Sequence, residues 1–280
     1  MLESMHYNDH SNLSMNITIL ANRDIASNFA INNMLEQLAE HKISIFLSSK
    51  VGGKADKPEE LQRLKFFEQD LFNQIISPLM NKAELPSSKY LSFAQISDKL
   101  EGRVAELNNI NCESGLDILA TQQPELIVSI RFGVIIKADV IAIPKHGVIN
   151  LHSGVLPNYR GVMASFWALL NDEPQLGTTL HFINDATIDT GEIIATSLIK
   201  AQVEQSYLWH VLELYKQGAQ LIIETIQKIS NDQPLLTYPQ ATAGNYYTFP
   251  KQVDLDNFKN AGKTLVAEAE LMEFLNHYYL

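Results

Sequence analysis

Short apolar runs alternate with stretches of helical period along most of this chain. Asn16-Ile17-Thr18-Ile19-Leu20 is β-branched and apolar, as a buried first strand requires. Asn22-Arg23-Asp24 turns the chain, and residues 28–35 carry apolar side chains at helical spacing. Lys42-Ile43-Ser44-Ile45-Phe46-Leu47 reads as a second strand. Strand, helix and strand within about thirty-five residues make a βαβ unit, which is parallel and right-handed. A further unit follows, with a strand over 104–107 and a helix over 112–122. The fully apolar run 126–130 predicts a strand at the sheet centre, and 148–151 and 178–183 predict two more. A helix from about Tyr207 to Ser230 closes the series. This alternation predicts an α/β fold with a doubly wound, mostly parallel sheet, whose ligands bind beyond the carboxyl ends of the strands.

Two regions stand outside that pattern. Over residues 58–82, Leu61, Leu64, Phe67, Leu71, Ile75 and Leu79 recur at intervals of three and four. That helix is longer than a βα connection needs, and it reads as an insertion covering a face or a partner. Residues 231–280 contain Pro234, Pro239 and Pro250, the run Tyr246-Tyr247-Thr248-Phe249, and an amphipathic helix over 265–279. The expected organisation is a disordered leader over 1–15, a catalytic domain over 16–230 and a small C-terminal appendage over 231–280. The apolar faces of 58–82 and 265–279 leave a homodimer open, although intrachain packing explains them equally well.

Charge and composition narrow the function. The formal net charge is −11, without a Lys/Arg block, which argues against a nucleic-acid partner. The polar N-terminal residues lack a secretory pattern, and no window approaches the ~20 apolar residues of a membrane span. Cys112, the one cysteine, cannot form an internal disulfide and offers no metal cluster, which predicts a reduced, cytoplasmic protein without a bound metal. Gly52-Gly53 and Gly133 are not dinucleotide fingerprints, because the chain contains no G-x-G-x-x-G.

The chemistry concentrates between Gly147 and Ile194. Asn150 and His152 lie two residues apart at a strand end, so both side chains point to one side, ~7 Å apart along the strand. An amide N–H and an imidazole there can converge on one oxygen; donors aimed at an oxyanion contribute roughly 3–4 kcal/mol apiece. The histidine can also relay a proton. Asp189, in the tight turn Asp189-Thr190-Gly191, can either orient that imidazole or accept a proton from an amine. No serine or cysteine acyl-enzyme is indicated, so direct transfer between bound donor and acceptor is the natural mechanism.

Asn150-x-His152, then Leu156-Pro157-x-Tyr159-Arg160-Gly161, then Asp189-Thr190-Gly191, in this order, closely resembles the folate-dependent formyltransferase family. That family includes the glycinamide ribonucleotide, methionyl-tRNA and sugar N-formyltransferases. The resemblance covers about residues 16–225 and is sharpest over 126–195. It implies a Rossmann-like core and a formyl group passing from 10-formyltetrahydrofolate to a primary amine. Asn150 and His152 would hold the oxyanion, and Asp189 would position the histidine and help move protons. Phe132, Gly133, Val134 and Ile135 match the loop that flanks the pterin through backbone groups. Asn184, Asp185, Ala186, Thr187 and Ile188 match the loop around its other side.

Which amine is formylated depends on the rest of the chain. The fifty residues after the closing helix carry only Lys251, Lys259 and Lys263 as Lys/Arg, unlike the basic barrel of a tRNA reader. The first βα loop, residues 21–28, lacks the glycines with which the glycinamide ribonucleotide enzyme holds phosphate. A sugar or other small-amine N-formyltransferase is the best match by elimination, with a nucleotide-linked amino sugar as acceptor. Arg160 and Arg23 are candidates for an acceptor anion, although Arg160 can equally pin its own loop. A folate-binding scaffold without turnover is the alternative outside enzymes.

Overall fold

The computed structural model describes residues 13–49, 57–82, 88–240 and 244–280. Most of the expected leader, and Gly52-Gly53, lie outside the described residues. β1 (Asn16–Asn22) is buried along nearly its whole length and leads into α1 (Ile25–Leu35). The N-cap of α1 is Asp24, which accepts a hydrogen bond from the Ser27 amide at 2.7 Å. β2 (Lys42–Ser48) returns parallel to β1.

The insertion is helical, as its spacing predicts, but it changes register. α2 (Glu59–Lys65) is followed by π-helical stretches at Phe66–Asp70 and Phe72–Ile76, then by α3 (Ser77–Lys82). Each π turn accommodates an extra residue and rotates the apolar stripe. Phe72, Ile76 and Met80 are therefore buried, while Ile75 and Leu79, expected on the inner face, are exposed.

α4 (Phe93–Lys99) starts from a capping box between Ser92 and Gln95 and precedes β3 (Val104–Glu106). Next come α5 (Glu113–Thr121), β4 (Leu126–Ile130), α6 (Ala138–Ile141) and β5 (Val148–His152). Then follow β6 (Tyr159–Gly161), α7 (Ala164–Leu170), β7 (Gln175–Phe182), β8 (Ile193–Lys200) and α8 (Tyr207–Ser230). β9 (Asn245–Tyr247), α9 (Gln252–Asn260) and α10 (Glu268–Tyr278) complete the chain.

Seven strands form one sheet in the order β3-β2-β1-β4-β5-β7-β8. The first five are parallel; β7 and β8 extend the sheet antiparallel. The order reverses between β1 and β4, so a crevice is expected at their carboxyl ends. The antiparallel pairing of β5 with β7 places Asn150 opposite His181 and His152 opposite Thr179. β6 and β9 make a separate two-stranded ribbon.

The C-terminal elements pack onto the sheet domain. Phe29 of α1 is fully buried against Tyr90, Phe274 and Tyr278, with ring centroids 4.8–5.3 Å away. Removing such a buried ring costs roughly 3–5 kcal/mol. Tyr279 is buried beside them and donates its hydroxyl hydrogen to Asn28 Oδ1 at 2.8 Å. No helix among the described residues is long and apolar enough to cross a membrane.

Candidate functional site

β5 ends in Asn150-Leu151-His152, and the turn after β7 returns Asp189 to it. The Asp189 carboxylate lies between two imidazoles: Oδ2 is 3.5 Å from His152 Nδ1, and Oδ1 is 3.5 Å from His181 Nε2. The Gly161 amide donates to Oδ2 at 2.8 Å. Asn150 Nδ2 lies 3.1 Å from His181 Nε2. The structure therefore brings Asn150, His152 and Asp189 together and adds His181 to them. The His181 side chain is 2% exposed, those of His152 and Asp189 8% and 10%.

The hydrogen bonds assign the tautomers. His181 Nδ1 is 2.8 Å from the Phe182 carbonyl and so carries its hydrogen there. This leaves Nε2 as acceptor for the Asn150 amide, whose second N–H has no acceptor among the described residues and can serve another oxygen. His152 Nε2 is 2.6 Å from the Tyr159 carbonyl and donates to it. Its Nδ1 faces Asp189, so a proton taken up by this ring lands between imidazole and carboxylate. Burial alone would raise the Asp189 carboxyl; the charge of His152 and of His181 in their protonated forms, with the Gly161 N–H, outweighs it and holds the group at about 2.

The backbone around Asp189 is tightly specified. Asp189 has φ 55°, a left-handed conformation uncommon for a residue with a side chain. Gly161, at φ 95°, passes so close to β9 that a Cβ there would lie 2.1 Å from the Tyr247 carbonyl oxygen. A Cβ on Gly191 would lie 1.8 Å from the Phe182 carbonyl oxygen. Glycine at these two places lets β6 lie against β9 and the turn lie against the end of β7.

Phe132 and Val134, after β4, pack partly buried against the same apolar cluster as Ile183 at the end of β7. Ile135 is exposed, and its carbonyl accepts from Asn111 Nδ2; Gly133 N donates to Ser48 Oγ at 3.2 Å. On the loop after β7, Asn184, Asp185, Ala186, Thr187 and Ile188 are all exposed. Asp185 accepts hydrogen bonds from the amide and hydroxyl of Thr187. The loop between His152 and Tyr159 also lines a cavity of about 220 Å³ with Ser165 and Glu173.

Of the two candidate arginines, Arg160 has a side-chain partner in the fold, and Arg23 is held through its main chain. Arg160 Nη2 donates to the Gly244 carbonyl at 2.6 Å, while its Nε is buried without a partner among the described residues. The Arg23 amide donates to Ser48 O at 2.9 Å, its carbonyl accepts from Asn73 Nδ2, and its Nε is buried without a partner among the described residues. Tyr247 stacks between Tyr159 and Trp167, whereas Tyr246 is half exposed.

A second buried charge cluster lies where the strand order reverses. Arg131, directly after β4, donates from Nε to Asp24 Oδ2 at 2.8 Å and from Nη2 to Glu68 Oε1 at 3.0 Å. Burial pushes the Glu68 carboxyl up against the opposing pull of Arg131. The sequence reading missed this cluster and His181. Only the register of β7 against β5 reveals His181, and only the fold brings Glu68 of the insertion to Arg131.

The family model described as Formyl transferase matches residues 80–226, just over half of the chain. A methionyl-tRNA formyltransferase of Thermodesulfovibrio yellowstonii is 39% identical over 111 residues, 40% of this chain and 36% of that protein. The match thus spans little more than a third of the relative's length. A Helicobacter canadensis N-formyltransferase, solved with folinic acid and dTDP-3-aminofucose, has the same fold: TM-score 0.56, 15% identity, 90% of this chain and 81% of that one. So does glycinamide ribonucleotide transformylase 1 of Symbiobacterium toebii: TM-score 0.57, 11% identity, 85% and 99% covered. With its Asn-x-His strand end and returning aspartate, the chain belongs to the formyl transferase family.

Proposed function

We propose that this chain transfers a formyl group from 10-formyltetrahydrofolate to the primary amine of a nucleotide-linked amino sugar. The observation that carries this reading is one carboxylate, Asp189, held between two imidazoles beside the free N–H of Asn150. As the amine nitrogen bonds to the formyl carbon, negative charge gathers on the formyl oxygen. The Asn150 amide donates to that oxygen in a site with little solvent, where such a bond contributes roughly 3–4 kcal/mol. The amine's proton passes to the His152–Asp189 pair and returns to the donor nitrogen as its bond to the formyl carbon breaks.

For the donor, Phe132, Gly133, Val134 and Ile135 would form one wall and residues 184–188 the other. The exposed side chains of Ile135 and Ile188 suit a flat pteridine ring, and the backbone groups suit its polar edge. For the acceptor, the N-terminus of α1 already holds the chain's own Asp24, paired with Arg131. A ribonucleotide phosphate directed there would meet a carboxylate, which weighs against a glycinamide ribonucleotide acceptor. The charge of −11 weighs against tRNA, despite the methionyl-tRNA formyltransferase likeness.

The test is a thermal-shift screen with folinic acid, nucleotide-linked amino sugars, glycinamide ribonucleotide and initiator methionyl-tRNA. A ligand at 100 times its Kd stabilises by about 2.7 kcal/mol. The proposal expects stabilisation by folinic acid, further stabilisation by an amino sugar, and a formylated amino sugar by mass spectrometry after turnover. Formylation of the tRNA or the ribonucleotide alone would overturn the acceptor assignment, and no response to folinic acid would overturn the donor.

A further inference from the structure

After α8 the chain returns to the two loops that carry the reactive groups and touches both. Tyr238 exchanges two backbone hydrogen bonds with Ile193, at 2.8 and 2.9 Å. Two residues later, Gln240 Nε2 donates to the Asp189 carbonyl at 2.9 Å and to the Gly191 carbonyl at 2.8 Å. Both of its amide hydrogens are used, one on the carbonyl of each residue flanking Thr190. Its Oε1 is buried with no partner among the described residues. An acceptor left unmatched is a cost of burial, so the amide sits there for its N–H groups.

The same segment then holds the other loop. β9 pairs in parallel with β6, and Val162 N donates to the Tyr247 carbonyl at 2.9 Å. Trp167 Nε1 donates to the Thr248 carbonyl at 3.1 Å. β6 supplies the Tyr159 carbonyl that holds His152 and the Gly161 amide that holds Asp189. Two catalytic candidates from distant parts of the sequence thus share one brace. Asp189 needs it: its left-handed backbone is unfavourable for a non-glycine residue and persists only where surrounding contacts over-determine it.

We propose that Gln240 is a positioning residue for formyl transfer, clamping the Asp189-Thr190-Gly191 turn so that the carboxylate stays between His152 and His181. The inference rests on reading Asn150, His152 and Asp189 as the reactive centre. It gives the C-terminal segment a share in the active site, where the sequence suggested only an appendage.

The Gly161 amide reports the position of the Asp189 carboxylate without requiring an identified acceptor. The chain has 13 glycines, so the full protein labelled with ¹⁵N-glycine gives a resolvable amide spectrum. Asp189→Asn identifies the Gly161 resonance by weakening its charge-assisted bond. Gln240→Ala and Gln240→Glu are expected to move that resonance most of the way to its Asp189→Asn position, with Gly102 and Gly262 unmoved. The glutamate variant keeps the side chain's size and removes both donors, and it stands in if the alanine variant does not fold. A Gly161 resonance at the wild-type position in the folded Gln240 variants, even with a lowered melting temperature, overturns the proposal. A resonance that Asp189→Asn itself fails to move overturns instead the site geometry beneath the proposed function.

Discussion

Two buried charge clusters lie on neighbouring strands of the sheet, and they differ in what their donors have left to give. At the ends of β1 and β4, Arg131 pairs with Asp24 and Glu68, and both are tied into the surrounding structure. At the ends of β5 and β7, Asp189 faces two imidazoles that can gain or lose a proton, beside an amide with an unused N–H. The guanidinium of the first cluster stays charged throughout the working range, so its pairs are fixed. The second can redistribute a proton among neighbours. Burial and ion pairing alone do not mark a reactive centre; spare hydrogen-bonding capacity and groups that titrate do.

Substitutions can break this contrast in order of expected size. Arg131→Met leaves Asp24 and Glu68 buried without their cation. It should cost about 3–5 kcal/mol of stability, read as a fall in the denaturation midpoint. Turnover per folded molecule should stay within a few-fold of wild type. Asn150→Ala should do the reverse, raising the barrier by about 3–4 kcal/mol, a loss of 10²–10³ in kcat, while the lost bond to His181 costs only about 1–3 kcal/mol of stability. Equal loss of both properties in both variants would erase the distinction.

The pH dependence of stability sharpens it further. The Asp189 carboxyl lies below its ordinary value of 3.8, at about 2. Its contribution is therefore present above about pH 4 and disappears as pH falls toward 2, because only the unfolded chain binds the proton in that window. It amounts to about 2 kcal/mol, and Asp189→Asn should flatten this acid limb in chemical denaturation series. Tyr279→Phe removes one buried hydrogen bond, to Asn28, and should cost about 1 kcal/mol. The exposed pair Arg63–Glu268 should matter least, with Arg63→Ala changing stability by under ~1 kcal/mol.

Much of this architecture is legible in the sequence because it follows from local periodicity. The apolar runs give β1, β2, β4 and β5, and the Asn-x-His spacing places two polar side chains on one strand end. β8 escapes, because its outward positions alternate with half-buried ones on a sheet edge and carry no continuous apolar run. His181 escapes because a histidine inside an apolar strand has no local signature; its neighbour Asn150 is 31 residues away and meets it only through antiparallel register. The register change of the insertion escapes because π turns leave no mark in a spacing of threes and fours. Gln240 escapes for a different reason: its partners are main-chain carbonyls, which no side-chain pattern announces.

The central claim is that the Asn150 amide and the Asp189-centred imidazole pair act on the formyl group itself. Single-turnover transfer of labelled formyl from 10-formyltetrahydrofolate, measured beside folinic acid affinity in wild type, Asn150→Ala and Asp189→Asn, tests it most directly. The account predicts a rate reduced on the order of 100-fold or more in each variant, with folinic acid binding within a few-fold of wild type. Transfer at the wild-type rate in either variant, with the protein folded and the donor bound, would contradict it.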